Sequence, residues 1–201
     1  MRRTQQDRSN STKAALMAAA RELFAARGYS DVPADEIVRA AGVTRGALYH
    51  HYGDKKGLFE AVVEAVEIEL TIEVEGVLKA AADPLSGMLS ALEAFLTACL
   101  RDEVRQISLT DAPAVLGWAA MRELEARYGL GLLERTLEKA MADELIVAQP
   151  VRALAQLVLS AVMEAARMIA ASATPETARA EVQQVLGTWF AGLLVGSGQS
   201  G

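Results

Sequence analysis

The residues with chemistry to offer crowd into positions 42–56, which read Gly-Val-Thr-Arg-Gly-Ala-Leu-Tyr-His-His-Tyr-Gly-Asp-Lys-Lys. Arg45 carries a planar fork of N–H donors that matches a guanine edge or a phosphate, and Thr44, Tyr49 and His50 add polar groups around it. Gly46 and Ala47 are small enough for backbone to approach a base edge, Leu48 is an apolar anchor, and Lys55 adds a cation. His51 is open between a contact and plain helix surface. The two histidines are neighbours, about 100° apart on a helix, so they do not share a metal as an i,i+4 pair does. With no other His and one Cys in 201 residues, no metal and no cofactor is expected. Catalysis lacks a constellation as well. No further His serves Cys99 or a serine as base, no Gly-x-Ser-x-Gly elbow occurs, and Cys99 lies on an apolar face that reads as core. The tail Gly196-Ser197-Gly198-Gln199-Ser200-Gly201 matches Gly-x-Gly-x-x-Gly by letter, but it follows no strand and opens no helix. The chain is not expected to be an enzyme.

The elements that must position Arg45 and its neighbours are legible on either side. Gly42 suits the left-handed turn that ends a helix over Pro33 to Ala41, and Thr44 is a good N-cap for the next. Two short helices joined by a Gly-bearing turn form the helix-turn-helix pattern, whose second helix enters the DNA major groove. Upstream, Ala15, Leu16, Ala19, Ala20, Leu23 and Phe24 repeat at helical spacing from Asn10 or Ser11 to Gly28. Residues 1–9, with Arg2, Arg3 and Arg8, read as a flexible arm. Pro33 and Asp35-Glu36 suit a helix start, although Val32 offers no capping hydroxyl. Downstream, Asp54 caps a long helix with Leu58, Phe59, Val62, Val63 and Val66 on one face.

Beyond residue 57 the sequence predicts five more helical segments, about nine in all, with a break at Asp111-Ala112-Pro113 and a bend at Gly129 and Gly131. In 151–171 the polar residues Arg152, Gln156, Ser160 and Glu164 form one stripe and Arg167 extends it, so the rest of the circumference must be covered on more than one side. The last helix opens at Thr174-Pro175 and carries Val182, Val185, Leu186, Trp189 and Phe190. Two such helices fit a four-helix interface with a second copy. The seam is expected at Leu154, Leu157, Val158, Ala161, Val162, Ala165, Val182, Val185, Leu186, Trp189, Phe190 and Leu193.

The net charge is −6, but residues 1–56 hold 10 Lys/Arg and 6 Asp/Glu while residues 57–201 hold 10 and 20. A basic head on an acidic body fits phosphate attraction at one end. Apolar residues make up 52% and charged ones 23%, a composition that packs rather than stays disordered. One cysteine suits a reducing cytoplasm. No signal peptide is read at Met1-Arg2-Arg3, and no uncharged apolar run reaches the roughly 18 residues of a membrane span. The expected order is a flexible arm (1–9), a helix-turn-helix domain (10–56), a helical body (57–195) and a flexible tail (196–201).

The dense stretch Ala41–Tyr52 with Lys55 and Leu58-Phe59, preceded by Phe24-Ala25-Ala26-Arg27-Gly28-Tyr29 and Asp35-Glu36-Ile37-Val38, resembles the DNA-binding head of the TetR family of bacterial transcriptional regulators. Asp35 departs from the pattern, standing where relatives often carry a polar or basic DNA contact. The resemblance implies an all-α homodimer on palindromic duplex DNA, with Thr44, Arg45, Gly46, Ala47, Tyr49, His50, His51 and Lys55 at the interface. It also implies a body that encloses one small-molecule site, released from DNA when an effector binds. Met88, Leu92, Phe95, Trp118, Met121, Arg122, Tyr128, Met163 and Arg167 are the expected lining. Side chains of these types at helical spacing fit ordinary core as well. A constitutive or partner-controlled DNA-binding protein without a pocket is the alternative; an all-α enzyme is a remoter one.

Overall fold

A computed structural model describes residues 5–194, and helices account for most of them. In chain order they are α1 (Gln5–Arg27), α2 (Ala34–Ala40), α3 (Arg45–Tyr52), α4 (Lys55–Ala80) and α5 (Pro84–Ala98). A π-helical stretch, π1 (Val104–Asp111), leads into α6 (Ala112–Leu116). Then come α7 (Trp118–Glu125), a second π stretch π2 (Ala126–Leu130), α8 (Gly131–Ala142), α9 (Val151–Ala171) and α10 (Pro175–Ala191). Because π1 runs into α6, and α7, π2 and α8 follow without interruption, the described residues make nine helical runs, as the periodicity predicts.

Three sequence expectations need correction. Residues 5–9, assigned to a flexible arm, belong to α1, where Asp7 in the first turn complements the helix dipole. Residues 1–4 and the tail lie outside the described residues. The break expected at Asp111-Ala112-Pro113 is instead continuous helix, with Pro113 standing where π1 passes into α6. The chain breaks at Gly117, whose φ of +88° a residue with a Cβ rarely adopts.

The described chain divides into two compact units, one made of residues up to Val66 with 102–121, the other of 67–101 with residues from 122 onward. The head was expected to end at residue 56. It extends further because Leu58, Phe59, Val62 and Val63 of α4 are fully buried in the same unit as Leu16, Ala20, Phe24, Ile37 and Leu48. The rings of Phe24, Tyr29 and Phe59 meet at centroid distances of 4.8 to 5.7 Å, the Phe24–Phe59 pair edge to face. Segment 102–121 joins this unit through polar contacts. Arg21 pairs with Glu103, and Asp111 Oδ2 accepts the Tyr29 N–H at 2.7 Å.

In the second unit α9 packs against α10, α8 and π2. By length and mean hydropathy α9 would suffice to cross a membrane, yet Leu154, Ala155, Val158, Leu159, Met163, Ala165, Ala166 and Ile169 are buried within the chain. Arg152, Gln156, Ser160 and Glu164 lie exposed along its other side, as their i+4 spacing predicts. It is a core helix with one wet stripe.

Candidate nucleic-acid interface and cavity

The local chemistry of α3 is the one its sequence predicts. Gly42 takes φ +65° after α2, and Thr44 Oγ1 accepts the Ala47 N–H at 3.3 Å at the start of α3. Pro33 stands at the N-cap of α2 rather than inside it, and no side chain caps that helix; Val32 is buried instead. Fully buried Leu48 anchors α3 to the head core. This fixes which side of α3 faces outward. Thr44, Arg45, Gly46, Tyr49 and His50 are exposed, and Ala47 is half-buried.

Within that surface Arg45 is already organised. Its Nη1 lies 3.1 and 3.3 Å from the two carboxylate oxygens of Asp35, and its Nη2 donates to the Tyr49 hydroxyl at 3.2 Å. The guanidinium carbon also stands 5.6 Å from the Tyr49 ring centre. Asp35, legible only as a departure from the family pattern, therefore tethers the residue most suited to reading a base. His51 is half-buried against the Tyr52 ring, and burial, with the charges of His50 and Lys13, pushes its pKa down.

Lys55 is placed differently from the expectation. Its ammonium donates to the Tyr29 carbonyl at 2.6 Å and sits 3.9 Å from the Tyr29 ring centre. Burial lowers its pKa against the pull of Asp111 and Asp31. The first residue of α4 thus ties the turn after α1 to the head, and it is not displayed beside α3 as a loose phosphate contact. Sequence spacing gave no sign of the Tyr29 partner, which comes from 26 residues away.

The second unit forms a cavity of about 270 Å³, partly open to solvent, between α4, α5, α7–π2–α8, α9 and α10. Met88, Leu92, Phe95 and Met163 line it, as expected. Trp118, Met121, Arg122, Tyr128 and Arg167 do not. Trp118 and Arg122 are exposed and Met121 is buried away from it. Arg167 pairs with Glu164 at 3.0 Å and stands 4.0 Å from Glu125. The sequence reading missed the polar lining, Glu67, Thr71, Glu125 and Thr136. They stand on three different helices, and only the closed bundle brings them together.

The expected dimer seam is split by burial within the chain. Leu154, Val158, Ala165, Val182 and Leu186 are covered by the chain itself, Ala161 is half-buried, and Val158, Val162, Phe190 and Leu193 line the cavity. The sequence expectation assigned part of the cover of α9 to a second copy. Packing against α8, α10 and π2 gives it more. Leu157 and Val185 remain 63% and 68% exposed, and Met168 and Trp189, farther along the same two helices, are about half exposed.

Among the described residues no group of three or more His, Cys, Asp or Glu is placed to hold a metal ion. Cys99 is fully buried, and burial, aided by Glu67, pushes its thiol up to about 12.

Known proteins match both parts of the chain. Residues 16–62 match the family described as bacterial regulatory proteins, tetR family, and residues 85–193 match the tetracyclin repressor-like C-terminal domain. A crystal structure of a TetR-family transcriptional regulator from Pectobacterium atrosepticum is 34% identical, with a TM-score of 0.86 over 96% of this chain and 98% of that one. The transposon Tn10 TetC protein of Escherichia coli is 28% identical over 142 residues, 69% of this chain and 70% of TetC. The HTH-type transcriptional regulator AcrR of Shigella flexneri is 36% identical over 107 residues, 53% of this chain and 49% of AcrR. A capped, outward-facing α3, a helical body matched over its own length, and one relative matched nearly end to end make this chain a member of the TetR family of DNA-binding transcriptional regulators.

Proposed function

We propose that the protein is a cytoplasmic, homodimeric repressor that binds a palindromic operator through α3 of each subunit and leaves it when a small molecule fills the cavity. The observation that carries this reading is the cavity itself. Its volume of about 270 Å³ lies just below the roughly 300–1,000 Å³ of small-molecule sites, and apolar side chains form nearly all of its wall. A partner-controlled regulator would have filled that space with side chains, because close packing is the default of a protein interior. One helix links the two ends of the mechanism. α4 contributes Leu58, Phe59, Val62 and Val63 to the head core and Leu70, Thr71, Val74 and Leu78 to the cavity wall. An occupant that favours a different placement of its second half changes the spacing of the two α3 helices, and operator affinity falls by its differential binding to the two states.

The test is selection from random duplex DNA followed by a screen for release. The selected sites should be inverted repeats with half-sites about one turn, roughly 34–36 Å, apart. Leu92→Phe, which fills the cavity, should blunt release while leaving ligand-free operator affinity nearly unchanged. A protein that selects no inverted repeat, or whose release is indifferent to Leu92→Phe, would overturn the mechanism.

A further inference from the structure

The cavity's polar groups restrict what it can hold, and this inference rests on its reading as the effector site. Four polar side chains reach the lining: Glu67 and Thr71 from α4, Glu125 from the end of α7, and Thr136 from α8. No Lys, Arg or His is among the lining residues. Both threonine hydroxyls donate their hydrogens to their own helices, Thr71 to the Glu67 carbonyl and Thr136 to the Leu132 carbonyl, each at 2.8 Å. Their oxygens are left with lone pairs, and an ionised carboxylate only accepts. With both carboxyls ionised, the side chains of the lining offer an occupant acceptors and no donors.

The charges point the same way. The Glu125 side chain is only 15% exposed, and Arg167 Nη1 approaches it at 4.0 Å without itself reaching the lining. Burial raises the Glu125 pKa against the pull of Arg167 and Arg122, so its anion is under-compensated where it stands. A buried carboxylate is stabilised by a close, hydrogen-bonded counter-charge. A second anion in the same apolar space would add like-charge repulsion to the desolvation already present.

We propose that the effector is a small apolar organic cation, an alkyl- or arylalkyl-amine whose ammonium group donates to Glu125 and Glu67 while its hydrocarbon fills the space among Leu92, Phe95, Leu159 and Val162. A carboxylate-headed molecule of the same shape is excluded.

Octylamine, 1-octanol and octanoate share one hydrocarbon chain and differ only in head group, so calorimetric titration of the full-length protein with each at neutral pH isolates the head-group term. Octylamine should bind at least about tenfold more tightly than octanoate, with octanol between them. In Glu125→Gln, and further in Glu125→Gln with Glu67→Gln, the amine should fall to within about threefold of the alcohol. Adsorption of the amine to the acidic surface of the protein would survive both substitutions, so an unchanged amine preference overturns the proposal. Octanoate binding as tightly as octylamine overturns it too, while the cavity stays an effector site. Failure of all three probes to bind the wild-type protein removes the effector reading on which the proposal stands.

Discussion

Arg45 meets DNA, in the proposed complex, from a position set by two neighbours: the Asp35 carboxylate at 3.1 Å and the Tyr49 hydroxyl at 3.2 Å. Arg45→Ala should cost on the order of 1–3 kcal/mol of operator affinity and relax base preference, measured by fluorescence anisotropy on operator and mismatched duplexes. Asp35→Asn removes a carboxylate that competes with DNA for the guanidinium. It should raise affinity for unrelated duplex and narrow discrimination; unchanged discrimination would make Asp35 a bystander. Lys55→Ala loses its bond to the Tyr29 carbonyl and its stacking on the Tyr29 ring. The variant should unfold about 1–2 kcal/mol more easily with the salt slope of DNA binding intact. A flatter salt slope at unchanged stability would return Lys55 to the phosphates. Glu125 supplies a pH test. Burial raises its folded pKa above the ordinary 4.5, so between 4.5 and that raised value the folded protein binds more protons than the unfolded one, and stability falls as pH rises. Glu125→Gln should therefore raise the melting temperature at neutral pH and leave it nearly unchanged below pH 4.5; an equal shift at both would place the effect outside the carboxyl.

At the scale of elements, the turn between α3 and α4 is held by close approach. A Cβ on Gly57 would stand 2.1 Å from the Tyr52 carbonyl oxygen, and the Gly57 N–H donates to Asp54 Oδ1 at 2.8 Å. Gly57→Ala should destabilise the head by about 1–3 kcal/mol, as overpacking does, read from chemical denaturation. Native stability in that variant would mean the turn yields freely. Helix ends and faces were legible because they depend on local chemistry: Thr44 and Asp54 both cap as their types predict, and α9 keeps its polar stripe wet. The two π stretches were not. A π turn has no composition of its own: Val104–Asp111 carries residues that serve equally well in an α-helix, and Gly129 within Ala126–Leu130 reads only as a bend.

For the whole molecule, the chain's own packing determines which apolar residues are left to pair two copies. Leu157 and Val185, both more than 60% exposed, are the proposed centre of that seam, with Met168 and Trp189 farther along the same two helices. Leaving such surface wet is unfavourable by roughly 25 cal/mol per Å², and a two-fold axis buries the same patch on both copies. Val185→Arg and Leu157→Arg should give folded monomers by sedimentation, with helical content retained and palindrome binding lost. Leu186→Arg, by contrast, charges a residue buried within the chain and should unfold it. A wild-type monomer at micromolar concentration would remove the seam altogether.

The sequence by itself determined the all-α class, the nine helical runs of the described residues, the helix-turn-helix and the outward residues of α3, because period, caps and glycine conformations act over a few residues. Tertiary structure decided the rest. It turned Lys55 to Tyr29 rather than to solvent, and joined Asp35 to Arg45 and Asp111 to the turn after α1. It covered Val182 and Leu186 while leaving Val185 bare, and it closed four polar side chains from two helical runs around one apolar space. Each of these depends on which helix faces lie together across tens of residues. A periodic pattern marks a buried side without saying what buries it.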